Sequence, residues 1–312
     1  MKPRLLFILD VPGWSIDNYI HRIGPYLKRF DLAKHYVFAN QDDARNGLTD
    51  TQFKQLPEAD VYYFGSWWWL WEWTRRGGRR LNNAVIDVVD DYSWVQSRVQ
   101  FEIAESRAAL VLTQSLPFVC SRPRAVFHPY PAGVDWFNEP LRCELDSRDR
   151  PLKVGMIASA FMHKGADHKG VLIARAACKA VEGVELVVAG TTVKYSFDKL
   201  KEFYRGIDAF MCLSKSEGFS SSTVNAAALG VPIISTPVSP VEPFIGEDGA
   251  FIVPDRRCGD TEVLSAVAFW LRTMKNERLT TFNRLCHTRR IAEQWRADLV
   301  AKHIETVLSG LL

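Results

Sequence analysis

The sequence predicts an α/β protein of two Rossmann-like, doubly wound domains facing each other across a cleft. Two observations carry this. Short apolar runs alternate with longer helical patterns, and a single polar stretch, EPLRCELDSRDRP (139–151), interrupts the alternation before it restarts at LKVGMIAS. At 312 residues, with 47% hydrophobic and 24% charged, the chain can bury two cores of ordinary domain size.

The expected strands of the first half are Leu5–Leu9, Tyr36–Ala39, Val61–Phe64, Val85–Val89, Leu110–Thr113 and Ala125–His128. Those of the second half are Val154–Ala158, Glu185–Ala189, Ala209–Leu213, Pro232–Ser235 and Phe251–Val253. Continuous apolar runs separated by helix-length segments are what a parallel sheet with crossover helices requires. The expected domains are residues 1–146 and 147–288. Residues 289–312 form a last amphipathic helix, with Ile291, Trp295, Leu299, His303 and Val307 near one face.

Composition excludes several classes. Lys plus Arg (39) against Asp plus Glu (36) leaves +3, too little to imply a polyanionic partner from charge alone. The six cysteines (Cys120, Cys143, Cys178, Cys212, Cys258, Cys286) are scattered, with no CxxC pair, which argues against a zinc site or a disulfide framework. The apolar run after Arg4 stops at Asp10 with no cleavage site, so a first strand fits better than a leader. No apolar stretch approaches the roughly 20 residues that span a bilayer. A soluble, reduced, cytoplasmic protein is expected.

Ligands of open α/β sheets bind beyond the carboxyl ends of the strands. The segment SKSEGFSSSTVNAAALGVPIIST (214–236) reads as strand end, small-residue loop, helix and next strand. The amides around Gly218, Phe219 and Ser220, at the helix N-terminus, suit a diphosphate. An ordinary capped helix is the plain alternative.

This segment resembles the retaining, nucleotide-sugar-dependent glycosyltransferases of the GT-B fold. Their hallmark is EGF followed by a second Glu eight positions after the first; here Glu217 and Asn225 occupy those positions, and LGVPIIST follows. In the same order, GVDWF (133–137), HKG (168–170), EFYRGIDAFMCLSKSEGF (202–219) and EPFIGEDGAFIVP (242–254) resemble the family's blocks. The likeness spans about residues 126–260.

The resemblance implies that Glu217 holds the donor sugar's hydroxyls, that the Gly218, Phe219 and Ser220 amides meet the sugar and diphosphate, and that Asn225 contacts the ribose. Asn225 replaces a Glu, so it donates and accepts without the charge. Lys169 falls where the family places a phosphate-binding Lys, and a cation there stabilises the leaving diphosphate. The Arg that often accompanies it is missing from Ala158-Ser159-Ala160; Lys164 is the substitute considered, with solvated loop lysines as the alternative. The last helix is expected to return to the first domain.

In the first domain, LDVPGWS (9–15) ends the first strand, where Gly13 allows the close backbone approach a donor needs or simply makes a tight turn, and Trp14 is an acceptor-side candidate; Asp90 and Asp91 follow the fourth, where one of them is placed to orient an acceptor hydroxyl or to cap a helix. The segment GSWWWLWEWTRRGGRR (65–80) is open to three readings: a helix packed on the sheet, an acceptor platform using Trp67, Arg75 and Arg76, or a peripheral membrane contact. Trp67, Trp68 and Trp71 share a helical face suited to a core, whereas Trp69 and Trp73 lie on another. No D-x-D triplet occurs, so transfer without a bound metal or cofactor is expected. The co-substrate is a UDP- or GDP-linked sugar, and the acceptor is a glycan, lipid, small molecule or, on a viral-type reading, hydroxymethylated DNA. A binding protein that has lost catalysis is the non-enzyme alternative. The oligomeric state is left open.

Overall fold

The computed structural model describes residues 1–12, 15–39, 56–89, 93–122, 124–141, 150–158, 167–190, 199–276 and 278–312. Its strands pair in parallel within two sheets, and the chain divides into two compact units, Met1–Pro131 with Ala297–Leu312, and Ala132–Arg296. The sheets deliver the expected α/β class. The unit boundaries fall at 131/132 and 296/297, whereas the sequence reading put them at 146/147 and 288/289. Trp136 of the GVDWF segment lies against Tyr204, with ring centroids 6.1 Å apart, so that segment is part of the second unit's packing.

The first unit holds β1 (Arg4–Leu9), β2 (Asp31–Tyr36), β3 (Val61–Phe64), β4 (Ala84–Val88), β5 (Leu110–Thr113) and β6 (Val126–Phe127), in the order β2-β1-β3-β4-β5-β6. Its helices are α1 (Ser15–Ile23), α2 (Trp67–Arg75), α3 (Ser93–Gln96), α4 (Arg98–Arg107) and α5 (Leu116–Ser121). β1, β3 and β4 are apolar over nearly their whole length because both faces are covered: Leu5, Phe7, Ile8, Tyr63, Phe64 and Ile86 are all 0% exposed. Burying each such side chain contributes about 1.5–3 kcal/mol. β2 is the one strand the sequence reading misplaced. It runs over DLAKHY, ahead of the apolar Tyr36–Ala39, because an edge strand covered by one neighbour tolerates polar side chains.

The second unit holds β7 (Leu152–Ile157), β8 (Val184–Ala189), β9 (Ala209–Cys212), β10 (Ile233–Ser235) and β11 (Phe251–Ile252), in the order β11-β10-β9-β7-β8. Around it lie α6 (Val171–Lys179), α7 (Leu200–Arg205), α8 (Ser221–Ala228), α9 (Gly246–Gly249), α10 (Asp260–Asn276) and α11 (Arg278–Ala292). Its core joins Val154, Met156, Ala174, Ala177, Met211, Val263, Val267 and Leu271. Gly155 lets the chain after β8 pack on the sheet, since a Cβ there would lie 2.4 Å from Ile207 and 2.8 Å from Phe203.

The C-terminal segment is not one continuous helix. After α11 a short 3-10 turn ends at Trp295, Arg296 is extended with ψ 138°, and α12 (Ala297–Ser309) begins afresh. The break resets the helical phase, so the buried face of α12 is Ala297, Val300, Ala301, Ile304 and Leu308, while Leu299, expected on that face, is 48% exposed. α12 completes the first unit, packing on α1.

Candidate functional site

In the second unit the strand order reverses between β7 and β9, which are hydrogen-bonded neighbours. A crevice opens beyond the carboxyl ends of strands at such a reversal. The chain leaving β9 carries Glu217, and the turn entering α6, which follows β7, carries Lys169.

The β9 segment is shaped by a change in residue type. Ala209–Cys212 is fully buried, and the polar run Ser-Lys-Ser-Glu-Gly then leaves the sheet. Ser220 ends the loop as the N-cap of α8, its hydroxyl accepting from Thr223 N at 3.4 Å and bonding Thr223 Oγ1 at 3.0 Å. Phe219 faces inward, edge-on to Phe244 and Trp295 at 5.8 and 5.2 Å. Its ring is therefore an anchor for the loop. Thr236 Oγ1 donates to Ser214 O at 2.7 Å, tying the end of β10 to the same loop.

The turn before α6 is set by Asp167, whose carboxylate accepts from Val171 N and Leu172 N, each at 2.9 Å. Two otherwise unfilled first-turn amides are thereby satisfied. Gly170 takes φ +77° and approaches Leu213 so closely that a Cβ would lie 2.5 Å from Leu213 O. Between them, Lys169 reaches the β9 loop: its Nζ donates to Glu217 Oε1, and Ser214 Oγ donates to the same oxygen at 2.6 Å. Lys169 is 39% and Glu217 16% exposed, so the pair stands at the rim of the crevice and is open to solvent.

Of the expected donor residues, Lys169, Glu217, Gly218, Phe219, Ser220 and Asn225 are described. Lys169 and Glu217 come together although 48 positions separate them. One expectation needs correction. The Ser220 amide, expected to meet the diphosphate, donates to Ser239 O at 3.0 Å. The loop after β10 occupies that donor, leaving the hydroxyl as the polar group of Ser220. Asn225 lies on the buried face of α8, 3% exposed. Lys164, Gly13, Trp14, Asp90 and Asp91 lie outside the described residues. Sequence reasoning placed Asp167 and Ser214 in the segments beyond the strands but gave neither a role of its own. Asp167 had a visible signal, an Asp just ahead of a Gly-initiated apolar helix.

In the first unit the tryptophan-rich segment is a packed helix. Ser66 caps α2, and Trp67, Trp69, Leu70 and Trp73 are buried. The face assignment holds for Trp67 but not for the others, since Trp69 and Trp73 are core while Trp68 and Trp71 are only half-buried. Trp67, expected to bind acceptor, is 3% exposed and lies edge-on to Phe101 at 5.5 Å, so its ring faces are used within the core. Arg75 and Arg76 pair with the buried Glu72 at 2.8 and 3.0 Å. Arg75 also covers the Trp71 ring at 5.1 Å.

The same unit contains a buried polar chain that the sequence did not announce. Tyr63 donates to Asp87 Oδ2 at 2.6 Å, His128 Nε2 meets Asp87 Oδ1 at 3.1 Å, and Tyr19 meets His128 Nδ1 at 3.1 Å. Where Asp87 is ionised it only accepts, and a neutral His128 then donates to it from Nε2 and accepts at Nδ1 from Tyr19. Burial, with the Asp87 charge, pushes both tyrosine hydroxyls well above their ordinary range. All four side chains are sealed in the core, so the network organises β3, β4 and α1 and does not face a substrate.

Among the described residues no helix is long and apolar enough to cross a membrane, and no group of three or more His, Cys, Asp or Glu could hold a metal ion.

Residues 170–271, which include both the α6 and α8 termini, match the family described as Glycosyl transferases group 1. A search of curated protein sequences gives no match. Among solved structures, HepE of Anabaena, in complex with UDP and glucose, is similar at a TM-score of 0.72 and 14% identity, over 98% of this chain and 99% of that one. Sucrose-phosphate synthase from Thermosynechococcus elongatus gives 0.72 at 12% identity, over 99% of each chain. WaaG, a glycosyltransferase involved in lipopolysaccharide biosynthesis, gives 0.67 at 13% identity, over 98% of this chain and 100% of that one. The two parallel-sheet domains are those of the GT-B glycosyltransferase fold, and the matched region together with the fold supports a glycosyltransferase.

Proposed function

We propose that this chain moves a sugar from a nucleoside diphosphate sugar to an acceptor hydroxyl, without a metal ion and with retention at the anomeric carbon. The observation that carries the reading is the Lys169–Glu217 pair beyond β7 and β9, beside the capped N-terminus of α8. Lys169 supplies the positive charge for a leaving diphosphate, the role a metal ion plays elsewhere. Glu217, oriented by Ser214 Oγ, accepts from the sugar's hydroxyls. As the donor enters, Lys169 exchanges part of its contact with Glu217 for phosphate oxygens, so carboxylate and diphosphate share one cation. Because HepE was solved with UDP-glucose, UDP-glucose is the first donor to try.

The test is a calorimetric and thermal-shift panel of UDP, GDP and their sugars, followed by NMR of the product's anomeric configuration with and without a chelator. The expected result is stabilisation by one nucleoside diphosphate and chelator-insensitive turnover to a retained product. An inverted product removes retention, and no binding by any nucleotide removes the reading. Supplying hydroxymethylated DNA alongside glycan and lipid acceptors separates the acceptor classes.

A further inference from the structure

Arg256, just after β11, has a side chain only 2% exposed. Its Nη1 donates to the carbonyl oxygens of Asp167 at 2.5 Å, His168 at 3.3 Å and Leu213 at 3.4 Å. Nε and Nη2 reach the Asp260 carboxylate at 3.2 and 3.4 Å, and that carboxylate is itself 60% exposed. A buried cation costs several kcal/mol unless its donors are filled. What fills them here is mostly the backbone of two loops: the turn ending in Lys169 and the start of the loop carrying Glu217. Those loops also meet directly, through Lys215 N to His168 O at 3.0 Å. Arg256 thus holds, from a third segment, the two pieces of backbone whose spacing decides whether Lys169 and Glu217 can touch.

We propose that Arg256 is a positioning residue for the donor site, fixing Lys169 against Glu217 at the distance the diphosphate needs. The role rests on the glycosyltransferase reading given above. It needs the planar fork of a guanidinium, whose five donors span carbonyls on two loops and a carboxylate at once. A Lys at this position keeps the charge but concentrates its donors on one atom.

The test is a double-mutant cycle on the dissociation constant of UDP, with Arg256→Lys and Lys169→Ala singly and together. Arg256→Gln serves where the Lys variant does not fold, and Arg257→Ala, a neighbour 89% exposed, is the control. Misplacing a catalytic group by about 1 Å costs up to about 10²-fold in rate. The expected result is that Arg256→Lys weakens UDP binding about tenfold alone and less than about twofold in the Lys169→Ala background, while kcat with UDP-glucose falls more than KM rises. Equal losses in the two backgrounds, or unchanged kcat in a folded Arg256→Lys protein, overturn the proposal and leave the donor site standing. A wild-type protein that binds no nucleotide overturns the donor-site reading and this proposal with it.

Discussion

The backbone N–H of Ser220 donates to the carbonyl of Ser239 at 3.0 Å, locking the loop after β10 onto the N-cap of α8. The helix terminus that faces the crevice is therefore held from two sides: by its own serine hydroxyl and by a neighbouring loop.

Ser220→Ala removes the hydroxyl that caps α8 through Thr223 and leaves the Ser239 contact in place. The expected cost is about 1 kcal/mol of stability, read as a lower urea midpoint with an unchanged slope. UDP binding should weaken in the same variant; an unchanged midpoint would show that the Ser239 contact alone holds the terminus.

Lys169→Ala and Glu217→Gln address the pair itself. Because the pair is partly solvent-exposed, its loss should change stability by less than about 1 kcal/mol. Turnover of UDP-glucose should fall about 10²-fold or more on loss of Lys169. A folded Lys169→Ala protein with wild-type kcat would remove the proposed role.

Trp67→Ala separates core from platform. A buried Trp with edge-on contact to Phe101 should cost about 3–5 kcal/mol on truncation, measured by chemical denaturation, whereas Trp71→Ala at the half-buried face should cost clearly less. Similar costs at the two positions would mean that α2 does not pack as described.

Glu139 offers a pH test. Hydrogen bonds from Arg205 and Lys201, reinforced by their charges, bring its carboxyl down to about 2. A depressed carboxylate contributes stability that is present above its unfolded value, near 4.5, and lost as pH falls toward the folded value. Glu139→Gln should therefore lower Tm at pH 7, with the difference from wild type shrinking between about pH 4.5 and pH 2. A difference independent of pH would assign the effect to packing.

Strands such as β1, β3 and β9 were legible because they are covered on both faces, which leaves an unbroken apolar run. β2 was not, because its polar edge is stabilised by pairing with β1 and carries no matching pattern of its own. The phase of α12 was hidden by one extended residue, Arg296. Motif likeness named Glu217 and Lys169 as candidates, but their meeting follows from the adjacency of β7 and β9, a tertiary fact. The burial of Trp69 and Trp73 likewise follows from which side α2 lays on the sheet, and the loss of the Ser220 amide from a loop remote in sequence. Composition constrains none of these.

α12 joins residues 1–131 only after the whole of 132–296 has been made. On a ribosome adding about 5–20 residues per second, that interval is on the order of ten seconds. Throughout it, α1 lacks the helix that packs against it, whereas the second unit is contiguous in sequence.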